Sequence, residues 1–136
     1  MAGFGLAMRS YSHYVEPRSA EELASLFARA SEEQLHLALR GTGNSYGDAA
    51  IAHRELVVDT ASMNRVLSFD AARGVIEVEP GVTIRDLWRH VLPHGYWPAV
   101  VPGTMKPTLA GVAAMNVHGK NNYKVGPIGD HVVSFD

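Results

Sequence analysis

The chain has 136 residues, with 12 Lys or Arg, 14 Asp or Glu, no cysteine and a formal net charge of −2. Its length suits one domain, and its hydrophobic fraction of 46% is enough for a core, whereas the balanced charge argues against binding to nucleic acid or to an anionic membrane. The lack of cysteine excludes disulfides, thiol nucleophiles and cysteine-based metal sites. We expect a soluble cytoplasmic protein, since the sequence shows neither a secretory signal pattern nor an apolar run of roughly 20 residues that would span a bilayer.

The first half of the chain predicts the order strand, helix, strand, loop, strand. A helix begins after Ser19, which we expect to cap it with Glu22 as its capping-box partner. Apolar side chains then repeat at helical spacing and should face the core, namely Leu23, Leu26, Phe27 and Ala30. Residues 35–39 and 55–59 are predicted strands, and the second is of the kind that is buried on both faces.

The second half predicts a hairpin and two helices. Residues 66–70 and 75–80 flank AARG as a β-hairpin, in which Glu77 and Glu79 are expected to lie on a solvated face. The pattern predicts a helix from Thr83, with Asp86 in its first turn, to about residue 92, ended by Pro93 and Gly95. Small side chains over residues 108–115 suit a helix packed closely against backbone or a planar ligand.

The end of the chain has an unusual pattern. The closing segment HVVSFD stops within an apolar alternation, with neither a helix cap nor a turn residue after it. We therefore expect the chain to be cut at its C-terminus.

Three glycines lie close together in RGTGNSYGD, residues 40–48. The segment lacks the Gly-Lys-Ser/Thr ending of a P-loop, misses the Rossmann glycine spacing by one residue and leads into a strand rather than a helix. It is rich in backbone N–H groups, with Arg40 at its start and hydroxyls at Ser45 and Tyr46, which is the chemistry of an anion-binding nest. A tight turn with a capping arginine is an equal alternative at this point.

A second glycine-containing segment favours the anion-binding interpretation. VPGTMKPTLAGVAAMNVHGKN combines Gly103, a helix start made of small residues, and the run HGKN with His118 and Lys120. Helix N-termini and backbone donors attract phosphate, and a His/Lys pair beyond them is suited to the far end of a long ligand. The alternative is a Gly/Pro-rich connection whose polar residues face water.

Other constellations carry less weight. We predict no metal site, because Pro93 stands between His90 and His94 and should break any shared helical face. A serine hydrolase lacks support, since no GxSxG elbow occurs. Trp88 and Trp97 are expected to pack in the core or at an interface rather than to stack on a ligand.

Three segments carry a family resemblance: RGTGNSYGD, LPHGYWPAVVPGT and HGKNNYKVGPIGDHV. From about Tyr11 to Asp136 the chain resembles the FAD-binding domain of the vanillyl-alcohol-oxidase/p-cresol-methylhydroxylase (PCMH-type) flavoproteins, and within it the decaprenylphosphoryl-β-D-ribose 2′-oxidases. The resemblance implies an α+β fold of the PCMH type, truncated at the C-terminus. Two α+β subdomains would hold an extended FAD, with the first over about residues 10–60, the start of the second over residues 61–136, and the family's substrate domain absent.

The resemblance also implies which residues contact FAD. Residues 40–48 would embrace the pyrophosphate. Gly103 and Thr108 to Gly111 would lie along the pyrophosphate and ribityl chain, and Met115 to His118 would approach the isoalloxazine. The expected cofactor-binding residues are Arg40, Gly41, Thr42, Gly43, Asn44, Ser45, Tyr46, Gly47, Asp48, Gly103, Thr108, Leu109, Ala110, Gly111, Met115, Asn116, Val117 and His118. Lys120, His118 and Tyr46 are expected on the substrate side of the flavin.

Departures from the family pattern refine these expectations. Several relatives carry histidine at the position of Asn44 and attach the flavin through it, so Asn44 implies noncovalent FAD. Ala110 stands before Gly111 where the nearest relatives have a Gly-Gly pair, and Asn116 stands where they have aspartate. These two differences bear on fine geometry and leave the expected fold unchanged.

The implied function is a FAD-dependent oxidoreductase acting on CH–OH groups. It would oxidise a secondary alcohol of a sugar or lipid-linked sugar by hydride transfer to FAD, and residues 1–136 alone are expected to be inactive. A reductase partner that completes an epimerisation is compatible with this function. The alternatives are an alditol or sugar-lactone oxidase of the same superfamily and a non-catalytic nucleotide- or phosphate-binding module.

Overall fold

The computed structural model describes residues 1–135, which form two compact units: Met1–Met63 and a second unit that begins at Asn64. The strands are β1 His13–Val15, β2 Leu37–Arg40, β3 Leu56–Asp59, β4 Val66–Asp70 and β5 Val75–Val78. The helices are α1 Ala20–Glu32, α2 Ile84–Val91, α3 Leu109–Ala114 and α4 Asn122–Val125, with 3₁₀ helices at Leu92–His94 and Ile128–His131. Asp136, the last residue of the segment expected to be cut, lies outside the described residues.

A three-stranded parallel sheet forms the centre of the first unit. The strand order is β1-β3-β2, so β3 pairs with a neighbour on each side. Helix α1 connects β1 to β2, and its Ala30 packs with Leu56 and Val58 in a buried apolar cluster. Every residue of β3 is buried, which confirms the prediction of a strand covered on both faces.

The start of α1 confirms one part of its predicted cap and corrects another. The Ser19 side chain accepts the N–H of Glu22 at 3.2 Å, as expected. The carboxylate of Glu22, however, accepts the N–H of Arg18 at 2.7 Å, so the reciprocal bond to Ser19 predicted for a capping box is wrong. Phe27 was also assigned wrongly to the core: it is 46% exposed, because it lies at the margin of the stripe, 100° beyond Leu26 around the helix.

A hydrogen bond joins the outer strand β1 to the central strand. The Tyr14 hydroxyl donates to Asp59 at 2.7 Å, and the second oxygen of this carboxylate accepts the N–H of Ala61 at 2.8 Å. Burial, followed by the hydrogen bond to Asp59, raises the pKa of Tyr14 above its ordinary value. The carboxyl edge of the sheet is therefore tied together by polar groups.

The predicted hairpin opens the second unit, with a bulge between Val66 and Ser68. The expectation that both glutamates face solvent is wrong for Glu79, which is 7% exposed. Its carboxylate accepts Nε and Nη2 of Arg65 at 2.9 and 2.6 Å and the main-chain N–H of Arg65 at 2.8 Å. These bonds hold the pKa of Glu79 below its ordinary value. Glu77 is exposed as predicted and accepts the Ser68 hydroxyl.

Helix α2 begins with the predicted Thr83 cap, and here both bonds of the capping box with Asp86 are present. The next two N–H groups donate outside the helix: that of Ile84 to the carbonyl of Pro107 and that of Arg85 to the carbonyl of Met105, both at 3.0 Å. The start of α2 is thereby fixed to the segment that precedes α3.

The end of α2 corrects the argument about its histidines. Pro93 lies in the first turn of the 3₁₀ helix that directly continues α2, so it does not separate His90 from His94. Their rings lie 6.3 Å apart, and both rings contact Phe69. The chain turns only at Gly95, whose φ is 82°.

The two tryptophans contact each other in the second unit, with ring centroids 6.1 Å apart. Trp97 is 61% exposed, while the indole nitrogen of Trp88 is buried and has no acceptor within residues 1–135. Over the same described residues, no helix combines the length and the apolar character that a bilayer crossing requires.

Candidate functional site

The glycine loop, residues 40–48, leaves the carboxyl edge of the first unit's sheet. Arg40 is the last residue of β2 and is in register with Asp59, the last residue of β3. The N–H of Thr60 donates to the Arg40 carbonyl at 2.8 Å, so both chain segments turn away from the sheet at the same level. In parallel sheets this edge is where ligands bind.

Two glycines of this loop have left-handed backbone conformations, with φ of 69° at Gly43 and 64° at Gly47. This conformation disfavours residues with a Cβ atom. A Cβ at Gly43 would in addition collide with the Arg40 guanidinium, whereas one at Gly47 would meet nothing within 4 Å. Gly43 is therefore favoured by its backbone angle, and a Cβ there would make the Arg40 guanidinium move.

The Arg40 side chain braces the loop from within the first unit. Its Nη1 donates to the carbonyl of Ala50 at 3.3 Å and its Nη2 to the carbonyl of Ala2 at 3.2 Å. These bonds give Arg40 the role of a capping arginine, which was one of the two interpretations of the sequence. They also leave the backbone of the loop, rather than this guanidinium, as its main source of donors.

The main-chain N–H groups of residues 43–46 donate to no acceptor within residues 1–135. The side-chain amide of Asn44 instead bonds within the loop, to the carbonyl and hydroxyl of Thr42 at 3.3 and 2.8 Å. Gly43, Asn44 and Ser45 are half-buried, so an acceptor that reaches these donors would be partly withdrawn from water. Such a row of unpaired N–H groups fits an anionic ligand group such as a pyrophosphate.

Tyr46 projects from the loop and is 80% exposed. Its ring makes an edge-to-face contact with Phe4, with centroids 5.4 Å apart and planes at 82°. The N–H of Phe4 donates to the carbonyl of Ser45 at 3.2 Å. Sequence reasoning missed this N-terminal contribution, for which the run Gly3-Phe4-Gly5 was the available signal of a turn.

In the second unit, the first-turn N–H groups of α3 are all used within the unit. That of Leu109 donates to the Val82 carbonyl at 2.7 Å, that of Ala110 to the Pro80 carbonyl at 3.2 Å and that of Gly111 to the Thr108 hydroxyl at 3.3 Å. Thr108 itself is 3% exposed. This helix start therefore exposes the small residues 110 and 111 rather than free N–H donors.

The end of α3 is a Schellman motif built on asparagine. Asn116 has φ of 43°, its N–H donates to the Ala113 carbonyl, and the N–H of Val117 donates to the Val112 carbonyl. The Asn116 side-chain oxygen accepts the N–H of Gly129 at 3.0 Å. This arrangement fixes the direction in which the chain enters HGKN, while Met115 beside it is 64% exposed.

The HGKN segment, residues 118–121, packs against the chain around Ala99 and Val101. Gly119 is buried, and a Cβ there would lie 2.7 Å from the Val101 carbonyl oxygen. The Asn121 amide donates to the Ala99 carbonyl at 3.1 Å. His118 and Lys120 flank Gly119 and are exposed, and no ion pair found among residues 1–135 involves Lys120. Its positive charge is thus available to a ligand.

The expected site residues are shared between the two units. Residues 40–48 lie in the first unit, and Gly103 with residues 108–120 lies in the second. Within the second unit, Gly103 is exposed, and a Cβ there would meet nothing within 4 Å. Each unit therefore presents its own group of expected contacts.

Comparison with known proteins assigns a family. The profile described as FAD binding domain matches residues 11–136. A decaprenylphosphoryl-beta-D-ribose oxidase from Mycolicibacterium smegmatis is 34% identical over 137 residues, covering 100% of this chain and 30% of the relative. An L-gulonolactone oxidase from Bos taurus is 27% identical over 89% of this chain and 27% of the relative. This chain thus spans less than a third of the length of these relatives.

A solved structure agrees with the sequence relatives. An alkyldihydroxyacetonephosphate synthase superposes with a TM-score of 0.78 at 26% identity, over 90% of this chain and 26% of that one. The expected α+β, PCMH-type fold is thereby confirmed. The chain belongs to the FAD-binding domain family of FAD-linked oxidoreductases.

Proposed function

We propose that this chain is the FAD-binding part of a flavin-dependent oxidoreductase that oxidises a secondary alcohol of a sugar or lipid-linked sugar. The observation that carries the proposal is the row of unpaired N–H groups at residues 43–46, held in a glycine loop at the carboxyl edge of a parallel sheet. The similarity to an oxidase of a lipid-linked ribose supports the substrate class. Bound FAD would supply hydride acceptance, which no side chain provides.

The glycine loop would bind the pyrophosphate through its backbone. In this proposal Gly41 to Tyr46 face the phosphates, Gly47 and Asp48 close the loop, and Arg40 keeps its shape through the carbonyls of Ala2 and Ala50. Neutral N–H donors held in place before binding stabilise a dianion without the cost of reorganising a flexible cation.

The second unit would contribute contact surface and charge. Because the first-turn N–H groups of α3 are already used, Gly103 and residues 108–111 would pack against the cofactor by shape rather than by hydrogen bonds. Met115 to Val117 would lie near the isoalloxazine. Lys120 would orient the substrate with its positive charge, with His118 and Tyr46 on the same side of the flavin.

Noncovalent attachment is part of the same proposal. The Asn44 amide is occupied by Thr42, and an amide nitrogen is not a nucleophile that would bond to a flavin carbon. We therefore expect FAD to be released intact when the protein is denatured. A reductase that completes an epimerisation would be a partner of the complete enzyme.

The first experiment is the visible absorbance spectrum of the natural full-length protein before and after acid precipitation. Flavin bands that pass into the supernatant are expected, and flavin that stays with the precipitate would contradict the role given to Asn44. Folded protein that shows no flavin and takes up no added FAD would overturn the proposal in favour of a phosphate- or nucleotide-binding module.

The substrate class needs a second experiment. Anaerobic reduction of the bound flavin should be fastest with a polyprenylphosphoryl pentose, whereas faster reduction by a soluble sugar lactone would favour the alternative suggested by the L-gulonolactone oxidase relative. Lys120→Ala should keep FAD and lose this reduction, while Lys124→Ala, a change at a second exposed lysine, should keep both. Loss of FAD from the Lys120 variant would move this residue into the cofactor site.

A further inference from the structure

The N-terminal hairpin, residues 2–9, folds back on itself in the first unit. An antiparallel bridge joins Ala2 to Arg9, and the N–H of Gly3 donates to the Met8 carbonyl at 3.2 Å. The turn is closed by the N–H of Leu6, which donates to the Gly3 carbonyl at 3.1 Å. The hairpin therefore has its own hydrogen bonds and is more than an extended tail.

This hairpin touches the glycine loop at three points. The Phe4 N–H donates to the Ser45 carbonyl, and the Ala2 carbonyl accepts the Arg40 guanidinium. At the third point, a Cβ on Gly3 would collide with the Gly47 carbonyl oxygen. Because φ at Gly3 is not in the left-handed region, its lack of a side chain serves this close approach. The hairpin thus contacts the loop near its start, its middle and its end.

The Phe4 ring also contacts the ring of Tyr46. Phe4 is 49% exposed, so its ring is not held in the core, yet it meets the Tyr46 ring edge to face at 5.4 Å. Among residues 1–135, Phe4 provides the one ring contact found for Tyr46, which is itself 80% exposed. A tyrosine this exposed would otherwise sample several rotamers.

We propose that Phe4 is a positioning residue that holds Tyr46, and with it the middle of the glycine loop, in the conformation that receives FAD. The inference rests on the proposed function, since it takes the glycine loop to be a flavin site. The ring contact restricts Tyr46, while the bond from the Phe4 N–H fixes the carbonyl of Ser45 and so turns the neighbouring N–H groups toward the ligand side.

The test is a double-mutant cycle in the natural full-length protein, with FAD affinity of the flavin-free form as the readout. An edge-to-face pair of this kind corresponds to about a fivefold change in dissociation constant. Phe4→Leu should therefore weaken FAD binding about fivefold, and Phe4→Tyr, which keeps the ring, should restore it. In a Tyr46→Leu background, Phe4→Leu should have less than a twofold effect, because Phe4 acts through Tyr46.

Phe27→Leu is the matched control, since Phe27 is 46% exposed in the same unit and has no contact with the glycine loop among the ring contacts found. It should leave FAD affinity unchanged. An unchanged affinity in Phe4→Leu, or an equal loss in both Tyr46 backgrounds, would overturn the positioning role.

Amide hydrogen exchange provides a readout that does not need flavin. In the flavin-free protein, Phe4→Leu should speed exchange of the residue-4 amide, which donates to the Ser45 carbonyl, about fivefold after correction for the intrinsic rate of its sequence, whereas Phe27→Leu should leave this amide unchanged. Unchanged exchange would refute the inference even if FAD binds normally. A wild-type protein that binds no FAD would overturn the proposed function, and the exchange data would still decide whether Phe4 orders the loop.

Discussion

Replacing Gly43 with alanine tests how the geometry of the glycine loop determines flavin binding. The left-handed conformation of this residue, with φ of 69°, costs a residue with a Cβ roughly 1–2 kcal/mol. The new methyl group would also displace the Arg40 guanidinium, which donates to two carbonyls. Losing one hydrogen bond from a charged donor costs about 1.5–3 kcal/mol, so the loop conformation should become less favourable by about 3 kcal/mol in all.

The assay is a titration of flavin-free, full-length protein with FAD. A loop destabilised by about 3 kcal/mol should bind FAD with a dissociation constant about a hundredfold higher. Gly47→Ala is the matched control in the same loop: its φ is 64°, but a methyl group there meets nothing within 4 Å. It should show the effect of backbone strain alone, about tenfold.

Equal weakening of FAD binding in the two alanine variants would refute displacement of the Arg40 guanidinium as a cause. A second test repeats both alanine substitutions in an Arg40→Ala background, where no guanidinium remains to be displaced. There the difference between the Gly43 and Gly47 variants should disappear. A difference that persists would mean that the new methyl group acts on the ligand or on the backbone directly, and not through Arg40.

Three further predictions concern stability. Glu79→Gln should lower the free energy of unfolding by about 1 kcal/mol at pH 7. Because the folded-state pKa of Glu79 lies below its ordinary value of 4.5, its contribution is present above that pH and is lost as the pH falls through the folded pKa, so urea titrations of wild type and variant should converge only in acid. Asn116→Ala should destabilise the protein more than Asn116→Gly in thermal melts, since both lose the bond to Gly129 but only alanine is strained at φ of 43°; equal melting temperatures would contradict this. Thr83→Ala should cost about 1 kcal/mol by removing the hydroxyl that accepts the N–H of Asp86, while the bond from the residue-83 N–H to the Asp86 carboxylate remains, and Thr83→Ser should recover most of this loss.

Local signals predicted most of the secondary structure. Strand β3 is a run of apolar residues that reads as buried on both faces, and α2 carries its cap and its terminator within its own sequence. The N-terminal hairpin escaped prediction because its bonds to Ser45 and Arg40 join residues about 40 positions apart. The 3₁₀ continuation at Pro93 was also missed, since proline is compatible with the first turn of a new helix.

The sequence predicted where the glycine loop lies along the chain, but it did not predict the hydrogen-bond partners of the candidate site. The spacing of RGTGNSYGD located the loop, yet the role of Arg40 depends on the carbonyls of Ala2 and Ala50, which no pattern in the sequence identifies. The start of α3 likewise looked like a phosphate site, because the acceptors of its N–H groups, at Pro80 and Val82, come from a distant turn. Hydrogen-bond partners supplied by tertiary structure are invisible to residue spacing.

In the second unit, the first turn of each of the helices α2 and α3 is hydrogen-bonded to the segment that precedes the other helix. The first N–H groups of α2 donate to Met105 and Pro107, just before α3, and those of α3 donate to Pro80 and Val82, just before α2. Neither helix can fray from its N-terminus without uncovering donors of the other. The two helices therefore form a single cooperative unit, whose amides should open together with one common free energy, although 17 residues separate Val91 from Leu109 along the chain.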